Sequence, residues 1–253
     1  MGMFEGIIEK ATLEDVMRAA HAIVTESRVL IDDKGWHIKA IDPANVAMVV
    51  VDVPPDAFYK YELKLEGEEE KEKKGMEIGI SIDKMVEMLR SVGRDGNIFL
   101  SVKDTLFMEF GNFTFSMDLY DPSSIREVKK VPEIEFTSEV IMDGDAFRRA
   151  IEAAKRLSED VMLSVKNDTF TVKAEGESMS MEMNLREDEL FDFEAGDAHS
   201  SFSLDYLTSM ARVFTNTEVV IKLGNDVPVE ISGKIADGSV AVMYLLAPRI
   251  QSE

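Results

Sequence analysis

The sequence predicts an α+β fold of two similar domains, each with helices on one face of antiparallel sheets. One observation is a pattern of helix and paired strands that recurs in the second half of the chain. The other is a hydrophobic content of 45% in 253 residues, which is enough for two cores of ordinary size. The predicted boundaries are 1–118 for the first domain, 119–135 for a connecting linker and 136–253 for the second domain.

The first half begins with an amphipathic helix over residues 12–24, followed by strands over 29–33 and 36–41. Its second helix, over 82–94, begins within a Ser-Ile-Asp sequence that is typical of a helix start. Strands over 98–102 and 105–110 come next. The apolar stripes of the two helices are Leu13, Val16, Met17 and Ala20, and Met85, Val86, Leu89 and Val92.

The second half repeats this order with helices over 144–157 and 204–214. Their apolar stripes are Phe147, Ile151 and Ala154, and Leu207, Met210, Ala211 and Phe214. The accompanying strands are predicted over 161–166, 169–175, 219–223 and 227–231. Chance similarity of short amphipathic segments is the alternative. Because four elements recur in the same order, we interpret the chain as four units of helix plus strands.

The net charge of -21 argues at first against a nucleic-acid partner, since phosphate binding normally rests on a basic surface. The predicted helices, however, hold nine Lys/Arg and seven Asp/Glu, against 19 basic and 42 acidic residues elsewhere. Their polar faces are either ordinary solvated surfaces, with ion pairs such as Glu14–Arg18 and Glu152–Arg156, or a phosphate-facing surface. The basic residues concerned are Arg18, His21, Lys84, Arg90, Arg94, Arg148, Arg149, Lys155 and Arg212.

Two segments alternate between apolar and polar residues with period two, which is typical of a half-buried strand. One ends the first half and the other lies inside the second half. Each could be a sheet edge that awaits a strand from another subunit, and two such edges would give a head-to-tail ring. Pairing of both segments within the chain fits the pattern equally well. The apolar residues are Phe113, Phe115 and Met117, and Met179, Met181 and Met183.

Several function classes find no support in the sequence. It has no cysteine, and His21, His37 and His199 have no metal-ligand spacing. Neither a serine nucleophile elbow nor a phosphate loop is present. We therefore expect no catalytic residues, no cofactor and no metal. The absence of an apolar run long enough for a membrane span, or of a secretory signal, predicts a cytoplasmic protein. The charged run over 67–75 is interpreted as a solvated hairpin tip.

Six short motifs occur along the chain in an order and spacing that are typical of one protein family. The sequence resembles the proliferating cell nuclear antigen family, the sliding clamps of archaea and eukaryotes, and leans towards the archaeal type. The resemblance implies a ring of three subunits whose helices line a hole for double-stranded DNA. Glu14, Asp15 and Glu87 depart from it, because relatives often carry lysine there. The motifs are Met3-Phe4-Glu5, Ile38-Lys39-Ala40-Ile41-Asp42, Val131-Pro132, Asp226-Val227-Pro228, Lys234-Ile235-Ala236-Asp237 and Tyr244-Leu245-Leu246-Ala247-Pro248-Arg249-Ile250.

The resemblance also implies an apolar pocket for partner peptides that carry one aliphatic and two aromatic anchors. The implied partners are a clamp loader, DNA polymerase, flap endonuclease and DNA ligase, and the implied function is processivity in DNA replication and repair. A heterotrimeric or checkpoint-type clamp is the alternative, and a metal-dependent hydrolase is a weaker one. The matching pocket positions are Ile41, Asn45, Val46, Met48, Val131, Phe136, Pro228, Leu245, Leu246, Ala247 and Pro248.

Overall fold

The computed structural model describes residues 2–66, 75–93 and 95–249. They form two compact units, and neither unit is continuous along the chain. The domain and linker boundaries expected from the sequence stay a prediction. Arg94 and the predicted hairpin tip, apart from Gly75, lie outside the described residues. The first unit comprises Met1–Ile41, Val49–Lys129 and Ile235–Val242, and the second comprises Asp42–Met48, Lys130–Lys234 and Met243–Glu253.

Strands and helices of the first half follow the predicted order. The described elements are β1 (Met3–Glu9), α1 (Lys10–His21), β2 (Glu26–Asp32), β3 (Gly35–Ile41), β4 (Ala47–Val53), β5 (Phe58–Lys64), β6 (Gly75–Ser81), α2 (Ile82–Ser91), β7 (Asn97–Val102), β8 (Thr105–Phe110) and β9 (Phe113–Asp118).

The second half has the same order of elements, which confirms the predicted repeat. The elements are β10 (Ser138–Asp143), α3 (Gly144–Lys155), β11 (Asp160–Lys166), β12 (Thr169–Glu175), β13 (Ser180–Arg186), β14 (Asp192–Glu194), β15 (Ala198–Ser203), α4 (Leu204–Ala211), β16 (Glu218–Leu223), β17 (Val229–Ile235) and β18 (Val240–Leu246).

The sheets are antiparallel, as predicted. In the first unit one sheet has the order β5-β1-β7-β8-β9, and β2 lies between β3 and β6. In the second unit one sheet has the order β13-β12-β11-β15, while β10 pairs with β14 and β16, and β16 pairs with β17. Strands β9 and β13 are therefore outermost in their sheets, so of the two interpretations that the sequence left open the structure supports sheet edges.

The helices bury the stripes that the sequence predicted. Every residue named above for the four stripes is buried, and a fully buried Leu, Val, Met or Phe side chain contributes about 1.5–3 kcal/mol. Helices α1 and α2 pack side by side in the first unit, and α3 and α4 do so in the second. Their polar faces consequently point away from each core.

The start of α1 differs from the prediction. The helix begins at Lys10, two residues before the predicted Thr12, although no side chain caps its first turn. Instead, the Lys10 backbone N–H donates to the Gly96 carbonyl at 2.9 Å, and its fully buried ammonium pairs with Glu14 at 2.7 Å. One tertiary hydrogen bond and one buried ion pair within the helix thus stabilise this helix end. At α2 and α3, Ser81 and Asp143 cap the helix through their side chains.

Candidate functional site: helix faces, sheet edges and a hydrogen-bonded loop

The polar faces of α1 and α2 place several predicted basic residues at the surface of the first unit. His21 of α1 and Asp83 of α2 lie 2.7 Å apart, so this contact joins the two helices. Arg18 pairs with Asp15 at 3.8 Å. Lys84 and Arg90 are exposed and, within the described part of the chain, make no ion pair. The first unit therefore offers two uncompensated cations on this face.

Helices α3 and α4 carry the other predicted basic residues, and ion pairs join these helices too. Lys155 contacts Asp205 at 2.6 Å, and Arg212 contacts Glu152 at 3.0 Å. Arg148 contacts Glu152 at 3.1 Å as well as Asp145 at 3.0 Å. Arg149 lies 3.9 Å from Asp143, and its side chain is 65% exposed. Most basic side chains of this face therefore already have a carboxylate partner.

Both ion pairs that the sequence suggested within single helices are wrong. Glu14 is buried and pairs with Lys10 rather than with Arg18. Glu152 pairs with Arg148 and Arg212 rather than with Arg156. Because Glu14 is only 7% exposed, it does not add negative charge to the outer face of α1.

Strands β9 and β13 present unpaired edges. Among the described residues, β9 pairs only with β8, and β13 pairs only with β12. Apolar side chains alternate along both: Phe113 is 53% exposed and stacks on Phe115 at 6.1 Å between ring centroids, and Met179, just before β13, is 64% exposed. Unpaired N–H and C=O groups beside exposed apolar side chains are the properties of an edge that another strand can extend.

A loop in the second unit, residues 42–47, carries Asn45 and Val46 of the predicted peptide pocket. The Asp42 carboxylate, 2% exposed, accepts hydrogen bonds from the N–H groups of Ala44, Val46 and Ala47 at 2.8–3.0 Å. Asn45 has a φ of 61°, a left-handed conformation that asparagine tolerates better than most residues. The tight turn therefore depends on the side chains of Asp42 and Asn45.

The end of the described chain lies beside this loop. The Ala247 N–H donates to the Val46 carbonyl at 2.8 Å. Two residues later, the Arg249 N–H donates to the Ser201 carbonyl at 2.7 Å, and its Nε donates to Asp160 at 3.1 Å. These bonds fix Ala247 and Pro248, two further pocket positions, against the second unit.

The predicted pocket residues differ in exposure. Met48, Leu245 and Leu246 are buried, so they can only support a pocket from below. Ile41 belongs to the first unit and is partly exposed. Asn45 is exposed, and the remaining residues are partly exposed and available for contact. These are Val46, Val131, Phe136, Pro228, Ala247 and Pro248.

The first part of the predicted linker is attached to the first unit. The Tyr120 N–H donates to the Gly79 carbonyl at 2.9 Å, and Arg28 Nε donates to the Ile125 carbonyl at 2.7 Å. Ile125 is buried, and an added Cβ at Gly79 would lie 2.8 Å from the Tyr120 carbonyl oxygen, so glycine lets this segment approach β6 closely. Residues 126–137 follow without helix or strand.

A charged cleft of about 370 Å³ in the first unit was not foreseen from the sequence. His37 lies in it, with Nδ1 2.6 Å from Asp52 and Nε2 3.2 Å from Asp32. The hydrogen bond to Asp52 and the charges of both aspartates raise the pKa of His37 despite its partial burial. The residues that line the cleft come from separate segments of the sequence, so no sequence motif predicts it.

This histidine predicts a pH dependence of stability. A raised pKa stabilises the fold below the ordinary value of 6.5, and the contribution disappears as pH rises through the folded-state pKa. Replacing His37 by Asn should therefore lower the free energy of unfolding at pH 6, on the order of 1 kcal/mol, and by less at pH 9. Urea titrations of both proteins at the two pH values measure this difference. An equal loss at both pH values contradicts the role of the charge.

Within the described residues, no helix is long and apolar enough to span a membrane. The described part of the chain also contains no group of three or more His, Cys, Asp or Glu residues arranged to hold a metal ion.

Two family models match the chain. The model of the N-terminal domain of proliferating cell nuclear antigen matches residues 3–121, and the model of its C-terminal domain matches residues 130–249.

Curated relatives match over the full length. The DNA polymerase sliding clamp of Archaeoglobus fulgidus is 36% identical over 254 residues, which cover 99% of this chain and 100% of that protein. The DNA polymerase sliding clamps of Methanosarcina barkeri and Halobacterium salinarum are 34% and 33% identical, each with 99% of this chain and 100% of the relative covered.

Solved structures of the same family are similar to this chain over almost its full length. The structure of the C-terminal region of FEN-1 bound to A. fulgidus PCNA has a TM-score of 0.91 and 35% identity, covering 99% of this chain and 100% of that chain. PCNA from Thermococcus kodakaraensis has a TM-score of 0.85 at 23% identity, covering 97% and 100% of the two chains, which is a likeness of fold.

Proposed function

The chain belongs to the proliferating cell nuclear antigen family, and on this premise we propose how it works as a DNA polymerase sliding clamp. Three subunits close into a ring, in which β9 of one subunit pairs with β13 of the next. The observation that carries the proposal is the pair of unpaired apolar edges on two different sheets. Two different edges give a head-to-tail contact, and such contacts close into rings when the rotation allows. Phe113, Phe115, Met117, Met179, Met181 and Met183 form this interface.

The ring encircles double-stranded DNA, with the polar faces of the four helices towards the phosphates. Because most of their basic side chains already pair with carboxylates, phosphates bind weakly and without regard to sequence. Weak contact suits a sliding protein, since a closed ring remains on the duplex by topology rather than by affinity. Lys84 and Arg90, which the described residues leave uncompensated, are the cations most available to phosphate.

Partner enzymes bind the clamp through short peptides with aliphatic and aromatic anchors. The partly exposed pocket residues around loop 42–47 and the Ala247-Pro248 segment receive these anchors, and buried Leu245 and Leu246 support them. Tethering keeps a polymerase, flap endonuclease or ligase at high effective concentration beside the DNA. The full-length similarity to A. fulgidus PCNA, whose solved structure contains the C-terminal region of FEN-1, supports this use of the pocket.

The clamp acts as a scaffold without catalytic residues, on chromosomal DNA in the cytoplasm. Its sequence has no phosphate loop of its own. Opening of the ring is therefore the task of an ATP-driven clamp loader.

Retention on DNA tests the topological mechanism. The purified chain should have three times the mass of one chain by light scattering at both low and high salt. After loading by a clamp loader, it should stay on nicked circular duplex through a high-salt wash and be lost once the circle is cut. Blocking both ends of the cut DNA with bound protein should restore retention.

Equal retention on circular and linear DNA contradicts the topological mechanism and points to direct binding. A stable monomer that the loader cannot place on circles contradicts the self-sufficient ring and favours a subunit with unlike partners. The salt wash separates these outcomes, because phosphate contacts weaken steeply with salt whereas a closed ring does not.

A further inference from the structure

Tyr206 makes a contact that neither the DNA face nor the peptide pocket accounts for. It lies on α4, and its hydroxyl donates to Oδ2 of Asp42 at 2.7 Å, across 164 positions of sequence. This bond to Asp42 raises the pKa of Tyr206 to about 12, so the hydroxyl remains a proton donor at any working pH. Both residues belong to the second unit.

Asp42 is the hydrogen-bond acceptor around which loop 42–47 turns. Oδ1 accepts from the N–H groups of Val46 and Ala47, each at 2.8 Å, and Oδ2 accepts from Ala44 at 3.0 Å and from Tyr206. Burial would raise the pKa of Asp42, but these four donors outweigh it and lower the pKa below its ordinary value. Tyr206 is the only side chain among the four described donors.

Tyr206 therefore gives the Asp42 carboxylate a hydrogen-bond donor that lies outside the loop. The three backbone donors move with the loop, whereas Tyr206 stands on a helix whose Leu204 and Leu207 are fully buried. A hydrogen bond from a packed helix fixes the position of the carboxylate in space. The loop, held to that carboxylate, is fixed with it, and so are Asn45 and Val46.

We propose that Tyr206 is a positioning residue for partner peptides: its hydroxyl holds Asp42, and through Asp42 it holds the loop that carries Asn45 and Val46. This inference rests on the proposed use of that loop as part of the peptide pocket. Tyr206 itself need not touch the peptide. Its effect on binding comes from presenting the loop in one conformation before the peptide arrives, which removes an ordering cost from association.

The first test measures peptide affinity. The probe is a fluorescein-labelled peptide with the sequence of the FEN-1 C-terminal region from the solved complex with A. fulgidus PCNA, and fluorescence anisotropy measures its binding. Tyr206→Phe removes only the hydroxyl and should weaken binding by about 10- to 150-fold, the scale of one lost hydrogen bond to a charged group. Tyr61→Phe is the matched control, because its hydroxyl donates at 2.6 Å to the Asp32 carbonyl in the first unit. That variant should bind as the wild type does.

A double-mutant cycle separates positioning from general destabilisation. If Tyr206 acts through Asp42, the Tyr206→Phe change should have little further effect on affinity in an Asp42→Asn background. Additive losses overturn the proposal. Equal affinity of wild type and Tyr206→Phe also overturns it.

Hydrogen exchange tests the loop without any peptide. Tyr206→Phe should speed exchange of the amides of Ala44, Val46 and Ala47, while amides in the core of β16 keep their protection. Unchanged exchange in the loop overturns the positioning role. In a further outcome, the wild type fails to bind the peptide while the variant still shows faster loop exchange. That result would contradict the proposed pocket but would agree with the Tyr206–Asp42 link. The two failures are therefore distinguishable.

Discussion

A chain with Met181→Arg on β13 is expected to be a monomer at micromolar concentration, and so is a chain with Phe115→Arg on β9. Both side chains lie on the apolar face of an unpaired edge strand, in the proposed interface. An arginine there would have to lose water without a partner, which costs about 3 kcal/mol or more at each contact. Since 1.4 kcal/mol is a factor of ten, association should weaken at least a hundredfold. Light scattering or sedimentation measures the mass directly.

Mixing the two variants gives a stronger test of the head-to-tail arrangement. The Met181→Arg chain keeps an intact β9, and the Phe115→Arg chain keeps an intact β13. One sound contact is therefore possible between unlike chains, and a mixture should form dimers but never closed rings. A two-fold symmetric interface, made by the same strand from both subunits, predicts instead that one variant alone assembles normally.

Tyr59→Arg is the matched control for these substitutions. Tyr59 is an aromatic side chain, 70% exposed, on β5, the opposite edge of the sheet that contains β9. The control should assemble as the wild type does. Loss of assembly in the control, or trimers in both interface variants, contradicts the proposed strand pairing.

Local patterns predicted much of this fold. The apolar stripes of the helices and the alternation along β9 and β13 follow from periods that a few neighbouring residues define. The repeat strengthened each assignment, because the same element had to appear twice. The sequence did not settle whether these two strands are sheet edges, because pairing within the chain fitted the same alternation; their outermost positions come from the tertiary fold. Helix ends were the exception. Lys10 and its contacts with Gly96 and Glu14 set the start of α1, and all four helices end two or three residues before the predicted positions.

The side-chain contacts of the candidate sites were harder to predict from the sequence than the fold. The carboxylates that neutralise the helix faces come partly from the neighbouring helix, as Glu152 does for Arg212 at a separation of 60 residues. The family resemblance implied only that Asn45 and Val46 of loop 42–47 belong to an apolar pocket, whereas the geometry of the loop depends on Asp42 and on Tyr206. No sequence pattern at Asp42 or at Tyr206 predicts that these two residues are in contact. Pairings of this kind follow only from the tertiary fold.

Charge reversal on the helix faces has the second large effect that we expect. The variant combines Arg90→Glu, Arg149→Glu and Arg212→Glu, three exposed residues that lie on α2, α3 and α4 or directly after them. It should remain a trimer, because none of the three belongs to β9 or β13. Its affinity for short linear duplex should fall for every sequence alike, and the slope of log K against log salt should decrease by about three units. Loading onto circular DNA and processive synthesis should fall with it.

The control for this variant reverses Lys103, Lys166 and Lys234, exposed residues outside the helices, and so changes the net charge equally. If total charge alone governed approach to DNA, both variants would lose the same affinity at low salt, because long-range repulsion depends on net charge. If the helices face the duplex, only the helix variant should lose phosphate contacts and salt dependence. Normal synthesis by the helix variant contradicts the placement of these helices around DNA. Retention on circles after a high-salt wash should survive in any helix variant that the loader can place, since a closed ring is held by topology.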